Sequence, residues 1–88
     1  MIARDILDLA RAQGVMIATA ESCTGGMVSV ALTDLPGSSD VLERAFVTYS
    51  NNAKKEQLGV APDTLEKHGA VSEQTAREMA EGALSHSH

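Results

Sequence analysis

Val15-Met16-Ile17-Ala18-Thr19-Ala20-Glu21-Ser22-Cys23-Thr24-Gly25-Gly26 is the stretch on which the fold of this chain turns. Its opening, Val15 to Ala18, is short, apolar, partly β-branched and preceded by Gly14, and so reads as a buried strand. A packet of small hydroxyl residues follows and ends in two adjacent glycines. Met27, Val28, Val30, Ala31 and Leu32 then recur at helical spacing, which predicts a helix from about Gly25 to Leu35. A strand-to-helix turn of this composition lets the backbone approach a ligand closely and leaves the first helical amides unpartnered. Those amides, with the positive end of the helix dipole, favour a phosphate or a developing oxyanion. Ser22 stands at the mouth of the turn, so the chemistry is expected there.

Outward from this stretch, residues 2–13 set Ile2, Ile6, Leu9, Ala10 and Gln13 along one stripe, an amphipathic helix that Gly14 ends. Pro36-Gly37 punctuates the second helix, and Ser38-Ser39-Asp40 opens a polar loop or a capped turn. Ala45-Phe46-Val47-Thr48-Tyr49 is the second strand candidate, followed by Ser50-Asn51-Asn52 as caps for a helix over about Ala53 to Leu58. Pro62 and Gly69 frame a short helix ending at His68. Ser72 opens a last helix on which Ala76, Met79, Ala80, Ala83 and Leu84 share a face. The order implies an α/β fold of three α-β-α layers with a mostly parallel sheet. Only two strands are clear, so the sheet reads as incomplete. One domain is expected over residues 1–88, with 85–88 as a frayed tail.

Composition narrows the partners. The chain has 88 residues, with 12 acidic against 7 basic side chains and a net charge of −5. Only Lys54-Lys55 set two positive charges side by side, which argues against nucleic-acid binding by a basic patch. One Tyr, one Phe and no Trp leave a thin core of Ala, Val, Leu, Ile and Met, so association into a homo-oligomer is expected. Cys23, the single cysteine, excludes an internal disulfide and fits a reducing, cytoplasmic compartment. No apolar stretch approaches the ~20 residues of a membrane span. No metal-ligand spacing occurs, and no cofactor is expected.

Five segments together carry a specific resemblance: Ala20-Glu21-Ser22-Cys23-Thr24-Gly25-Gly26, Pro36-Gly37-Ser38-Ser39, Val47-Thr48-Tyr49-Ser50-Asn51-Asn52-Ala53-Lys54, Leu58-Gly59-Val60 and His68-Gly69-Ala70-Val71-Ser72-Glu73. In this order they resemble the C-terminal domain of the competence/damage-inducible CinA proteins, over nearly the whole chain. The resemblance implies nicotinamide mononucleotide amidohydrolase activity: hydrolysis of the carboxamide to the acid with release of ammonia, in pyridine-nucleotide recycling. That family's domain continues into a further strand and a second glycine-rich stretch, so these residues resemble its first half.

The residues support a site of that kind by themselves. Amide hydrolysis needs a nucleophile, a base and donors for the tetrahedral oxyanion. Ser22 can be the nucleophile, and the amides of Thr24, Gly25 and Gly26 can be the donors. His68 beside a helix-ending glycine and His86 and His88 on the tail are poor bases. Lys54, five residues beyond Tyr49, should share a sheet edge with Ser22. A desolvated lysine can serve as base and a tyrosine hydroxyl can orient it, which makes Ser22, Tyr49 and Lys54 the catalytic candidates. Glu21 orients a substrate group or a lysine, or else is a solvated charge at the helix start. Ser38, Ser39 and Asn51 cap helices first and contact substrate second. Cys23 reads more simply as a small apolar residue than as a nucleophile. Two other readings stay open: a module that binds a phosphorylated nucleotide without turning it over, and an inactive fragment stable only in an oligomer.

Overall fold

The computed structural model describes residues 2–88. Its elements run α1 (Ile2–Gln13), β1 (Ile17–Glu21), α2 (Met27–Thr33), a single 3-10 turn (Ser38–Asp40), β2 (Leu42–Val47), α3 (Asn51–Leu58), α4 (Pro62–His68) and α5 (Glu73–Ser85). The helices whose ends are coded locally fall where the sequence puts them. Gly14, at φ 68°, closes α1 with paired bonds from Gly14 N to Arg11 O and from Val15 N to Ala10 O. Ser50 and Ser72 cap α3 and α5, their hydroxyls accepting from Ala53 N at 3.0 Å and Thr75 N at 3.2 Å. Glu78 on α5 supplies the cap that Ala61 lacks, accepting from Ala61 N and from the Thr64 hydroxyl at the start of α4.

The strands and α2 are displaced from their predicted bounds. The bond from Ala10 O engages Val15, so β1 begins only at Ile17, whose amide donates to Val41 O at 2.7 Å. It then runs on to Glu21. Gly25 and Gly26 both hold positive φ, which delays α2 to Met27. β2 begins three residues earlier than predicted and leaves Thr48 and Tyr49 beyond its end.

β1 and β2 pair in parallel, with Ala18 opposite Arg44, Ala20 opposite Phe46 and Glu21 opposite Val47. The connection through α2 makes this a β-α-β crossover. Each face of the sheet carries its own apolar cluster. Leu7 and Ala10 of α1, Leu32 of α2 and Val41 pack with Ile17 and Leu42 on one face. Leu58, Val60, Met79 and Ala83 pack with Ala20, Phe46 and Leu65 of α4 on the other. The three-layer α/β reading is therefore correct, around a sheet of two strands.

The helix faces differ from the predicted stripes. On α1 the buried residues are Leu7 and Ala10, while Ile2, Ile6 and Leu9 stay exposed. On α5, Thr75, Met79, Gly82 and Ala83 are buried, while Ala76, Ala80 and Leu84 are exposed. Each helix thus carries an apolar arc wider than the sheet beneath it covers. The tail expected to fray is tied back to β2: Arg44 donates to His86 O at 2.9 Å.

At Gly82 α5 passes close to the end of α3, because a Cβ built there would collide with the main-chain carbonyl of Leu58. In a free helix Gly→Ala stabilises by up to about 1 kcal/mol. Here the collision outweighs that gain, and Gly82→Ala is expected to lower stability by about 1–3 kcal/mol, read from the midpoint of urea unfolding.

Candidate active site

Because the strands are parallel and Glu21 pairs with Val47, the residues after each strand emerge at the same sheet edge. Ser22 follows β1 there, and Thr48 and Tyr49 follow β2, with Thr48 N donating to Glu21 O at 3.0 Å. This is the edge at which open α/β sheets hold ligands.

The turn after β1 is organised by Glu21. Its side chain is 4% exposed and lies against the start of α2. One carboxylate oxygen accepts from Gly26 N, Val28 N and the Thr24 hydroxyl at 2.9, 2.9 and 2.8 Å. The other accepts from Ser29 N at 3.0 Å. Burial pushes this carboxyl up, but the bonds from Val28, Thr24, Ser29 and Gly26 together outweigh it and hold it at about 2, below the ordinary 4.5. Glu21 is thus not a solvated charge: its carboxylate is bound to the start of α2, and the residue also lines the cavity beside Ser22. It occupies the helix start where a phosphate or an oxyanion was expected.

That changes the donor set. Gly26 N is committed to Glu21, and Gly25 N donates to Ser22 O at 2.9 Å, so neither glycine offers its amide to a ligand. The amides of Cys23 and Thr24 make no hydrogen bond among the described residues and remain as donors beside Ser22. The glycines instead supply the left-handed turns, φ 62° and 119°, that fold the loop onto the carboxylate. A phosphate held by the first amides of α2 is not supported, because those amides are occupied.

Ser22 is half-buried on the wall of a cavity of about 340 Å³. Its lining also includes Cys23, Thr24, Val28, Met79 and Ala70-Val71-Ser72, the loop between α4 and α5. Sequence reasoning did not single out this loop as a wall. Its only signal was membership of one of the five segments, since a wall made of Ala and Val carries no chemical mark of its own. Cys23 is exposed, not the small buried residue expected.

Lys54 is 1% exposed, in the first half of α3, and its ammonium donates to the main-chain oxygen of Tyr49 at 3.2 Å. No carboxylate among the described residues pairs with it. The Tyr49 ring is 70% exposed, so it does not fill the core, and its link to Lys54 runs through the backbone, not the hydroxyl. Neither Tyr49 nor Lys54 lines the cavity at Ser22. Thr48, which the sequence did not single out, is fully buried between Glu21 and Tyr49 with its hydroxyl unpartnered. Asn51 is exposed in the first turn of α3, next to the capping Ser50.

Ser38 and Ser39 do not belong to this site. They precede β2, and the parallel register sets that end beside the start of β1, roughly 15 Å from Ser22 along the strands. Ser38 is buried there, its hydroxyl donating to Thr33 O at 3.4 Å. Among the described residues no group of three or more His, Cys, Asp or Glu side chains is placed to hold a metal ion, and no helix is long and apolar enough to cross a membrane.

Residues 1–88 match the family model described as the CinA C-terminal domain. The chain belongs to that family. The nicotinamide-nucleotide amidohydrolase PncC of Escherichia coli K12 is 57% identical to it over 74 residues, 84% of this chain and 45% of the relative. A CinA-like protein of Chloroherpeton thalassium is 57% identical over 77 residues, 88% of this chain and 18% of the relative. The crystal structure of the competence/damage inducible protein CihA from Agrobacterium tumefaciens superposes with a TM-score of 0.91 at 54% identity, covering 97% of this chain and 52% of that one. The chain therefore spans about half the length of the amidohydrolase and of the solved structure, and under a fifth of the CinA-like protein.

The buried, depressed carboxyl of Glu21 makes a signed prediction. The unfolded chain binds a proton on this group near pH 4.5 and the folded chain only near 2, so its stabilisation is complete above about pH 4.5 and is lost as pH falls towards 2. Glu21→Gln is expected to lose about 2–3 kcal/mol at neutral pH and to flatten the urea-midpoint profile across that acidic window.

Proposed function

We propose that this chain carries the nucleophilic part of a serine-type nicotinamide-nucleotide amidohydrolase site. In this reading the Ser22 hydroxyl attacks the carboxamide carbon of nicotinamide mononucleotide. The tetrahedral oxyanion collapses to an acyl ester on Ser22, and ammonia leaves with the proton taken from the hydroxyl. Water then hydrolyses the ester to release nicotinic acid mononucleotide and restore Ser22. The amides of Cys23 and Thr24 are the oxyanion donors, in place of the glycine amides that the turn itself consumes.

The observation that carries this reading is the strand register, which brings Ser22 to the edge from which Tyr49 and α3 also emerge. The amidohydrolase name of a relative identical at 57% supports the substrate. Lys54 is the proposed base. It is buried, without a carboxylate partner and bonded only through a carbonyl, an arrangement that retains a lysine for proton transfer in preference to an ion pair. Tyr49 positions Lys54 through its main-chain oxygen, and its exposed ring is left free for the nucleotide. Asn51 stands at the same edge as a further substrate contact.

The test is ammonia release from nicotinamide mononucleotide. Ser22→Ala is expected to lower turnover by more than about 10³-fold while the circular dichroism spectrum is unchanged. Lys54→Met, which keeps the volume and removes the amine, is expected to cost at least about 10²-fold in turnover. Turnover that survives Ser22→Ala would refute the serine mechanism.

A further inference from the structure

Ser22 lines its cavity and Lys54 does not, so the hydroxyl and the amine that is to take its proton do not meet there. Lys54 is buried, and its ammonium donates to Tyr49 O with no other bond among the described residues. An ammonium has three protons to donate, so two are left over. Thr48 is fully buried as well, and its hydroxyl has no hydrogen-bond partner. Buried hydroxyls are nearly always bonded, and one that is not calls for an explanation. Both groups are enclosed by this chain itself.

Three rows of side chains bring them together with Ser22. Ala20, Phe46 and Leu58 pack in one cluster, on the face of the sheet that α3 and α5 cover. Ser22 is two residues past Ala20 and Thr48 two past Phe46, and strand alternation returns side chains two apart to the same face. The bond from Thr48 N to Glu21 O carries the ladder that far. The register of Glu21 with Val47, taken one step on, then sets Ser22 beside Thr48. Adjacent strands lie ~4.8 Å apart, within the reach of two hydroxyls. Lys54 is one helical turn before Leu58 on the buried side of α3. Two residues of strand and one turn of helix each advance about 5–7 Å, which brings Lys54 level with Thr48. Its ammonium ends on the carbonyl of the very next residue, Tyr49. Thr48 thus stands between Ser22 and Lys54.

We propose, resting on the serine–lysine reading above, that the Thr48 hydroxyl is the proton relay from Ser22 to Lys54. A hydroxyl accepts one proton and donates another at the same atom, which a relay requires. As Ser22 Oγ bonds to the carboxamide carbon, the carbonyl π pair moves onto its oxygen. The Ser22 proton passes to Thr48 Oγ1 while the Thr48 proton passes to the uncharged Lys54 amine, which becomes an ammonium. When the tetrahedral species collapses, a proton returns through Thr48 to the departing nitrogen and the amine is uncharged again. Catalytic hydrogen bonds often tighten only with substrate bound, and a hydroxyl with no partner to give up is free to turn towards them.

The probe is a small alkyl fluorophosphonate, which phosphonylates an activated serine without any contact to a nicotinamide, and mass spectrometry of the whole chain reads the labelled residue. Thr48→Val keeps the side-chain shape and removes an unsatisfied polar atom, so the urea midpoint is expected to hold or rise while labelling of Ser22 slows about 10²-fold. Thr48→Ser restores the hydroxyl and is expected to recover the rate to within ~10-fold. Thr19→Val removes the other buried hydroxyl without a partner, which faces α1 and α2, and is expected to label at the parent rate. Relay and base act in series, so Thr48→Val combined with Lys54→Met is expected to label no more slowly than either alone. Parent-rate labelling of Thr48→Val beside a slow Lys54→Met overturns the relay and leaves the serine–lysine reading standing. Losses that multiply in the double variant, or a slow Thr48→Val whose urea midpoint has fallen, also overturn the relay alone. A parent chain that is not labelled at Ser22 overturns both together.

Discussion

The carboxylate of Glu21 is the interaction on which the rest of this structure depends. It ends β1, yet it holds the amides of Gly26, Val28 and Ser29 and the hydroxyl of Thr24. A helix of seven residues cannot satisfy its first amides alone and is too short to be stable by propensity. A buried anion at its positive end does both, and the amides keep that anion ionised. The same contact fixes the angle of the crossover from β1 through α2 to β2. It also decides how Ser22 is presented, since the turn from Ser22 to Gly26 is closed at both ends by one side chain.

This has a chemical consequence. An anion site that looks open in the sequence is filled from within, so the loop is a rigid platform and not a phosphate cradle. The donors left over are the amides of Cys23 and Thr24, beside the Ser22 hydroxyl, where the proposed reaction would develop its oxyanion. Glu78 repeats the device at the start of α4, which anchors the helix leading into the Ala70–Ser72 wall of the cavity.

The second constraint is the width of the apolar arcs against the narrowness of the sheet. Two strands cover only part of α1, α2 and α5, and each face is left with a cluster of four buried apolar residues. Ile2, Met27 and Leu84 stay exposed beside the edge of β1 that pairs with nothing among the described residues. The core and the open edge are thus two halves of one hydrophobic pattern, and a helical period alone cannot tell them apart. That is why the stripe of Ile2, Ile6 and Leu9 read as core although Leu7 and Ala10 are what the sheet buries.

Local coding was legible in the sequence. The bounds of α1 and α4 and the capped start of α5 rest on Gly14, Pro62, Gly69 and Ser72, whose effects reach four residues at most, and the α/β class follows from alternating periods. The five segments that mark the CinA C-terminal domain are likewise linear. What the sequence left open depends on pairing at a distance. Strand limits moved because a strand ends where its partner's bonds end, not where its own apolar run does. Ser38 and Ser39 left the site because a parallel register sends the two ends of β2 to opposite edges. Glu21 became a cap because its reach, to a residue eight positions away, exists only once the turn has folded back on the strand. By itself the sequence determined the fold class, the family and the place of Ser22 at the mouth of the turn between the first strand and the second helix. Only the tertiary structure decided which amides stay free and which apolar faces stay open, because both depend on what else comes to lie against them.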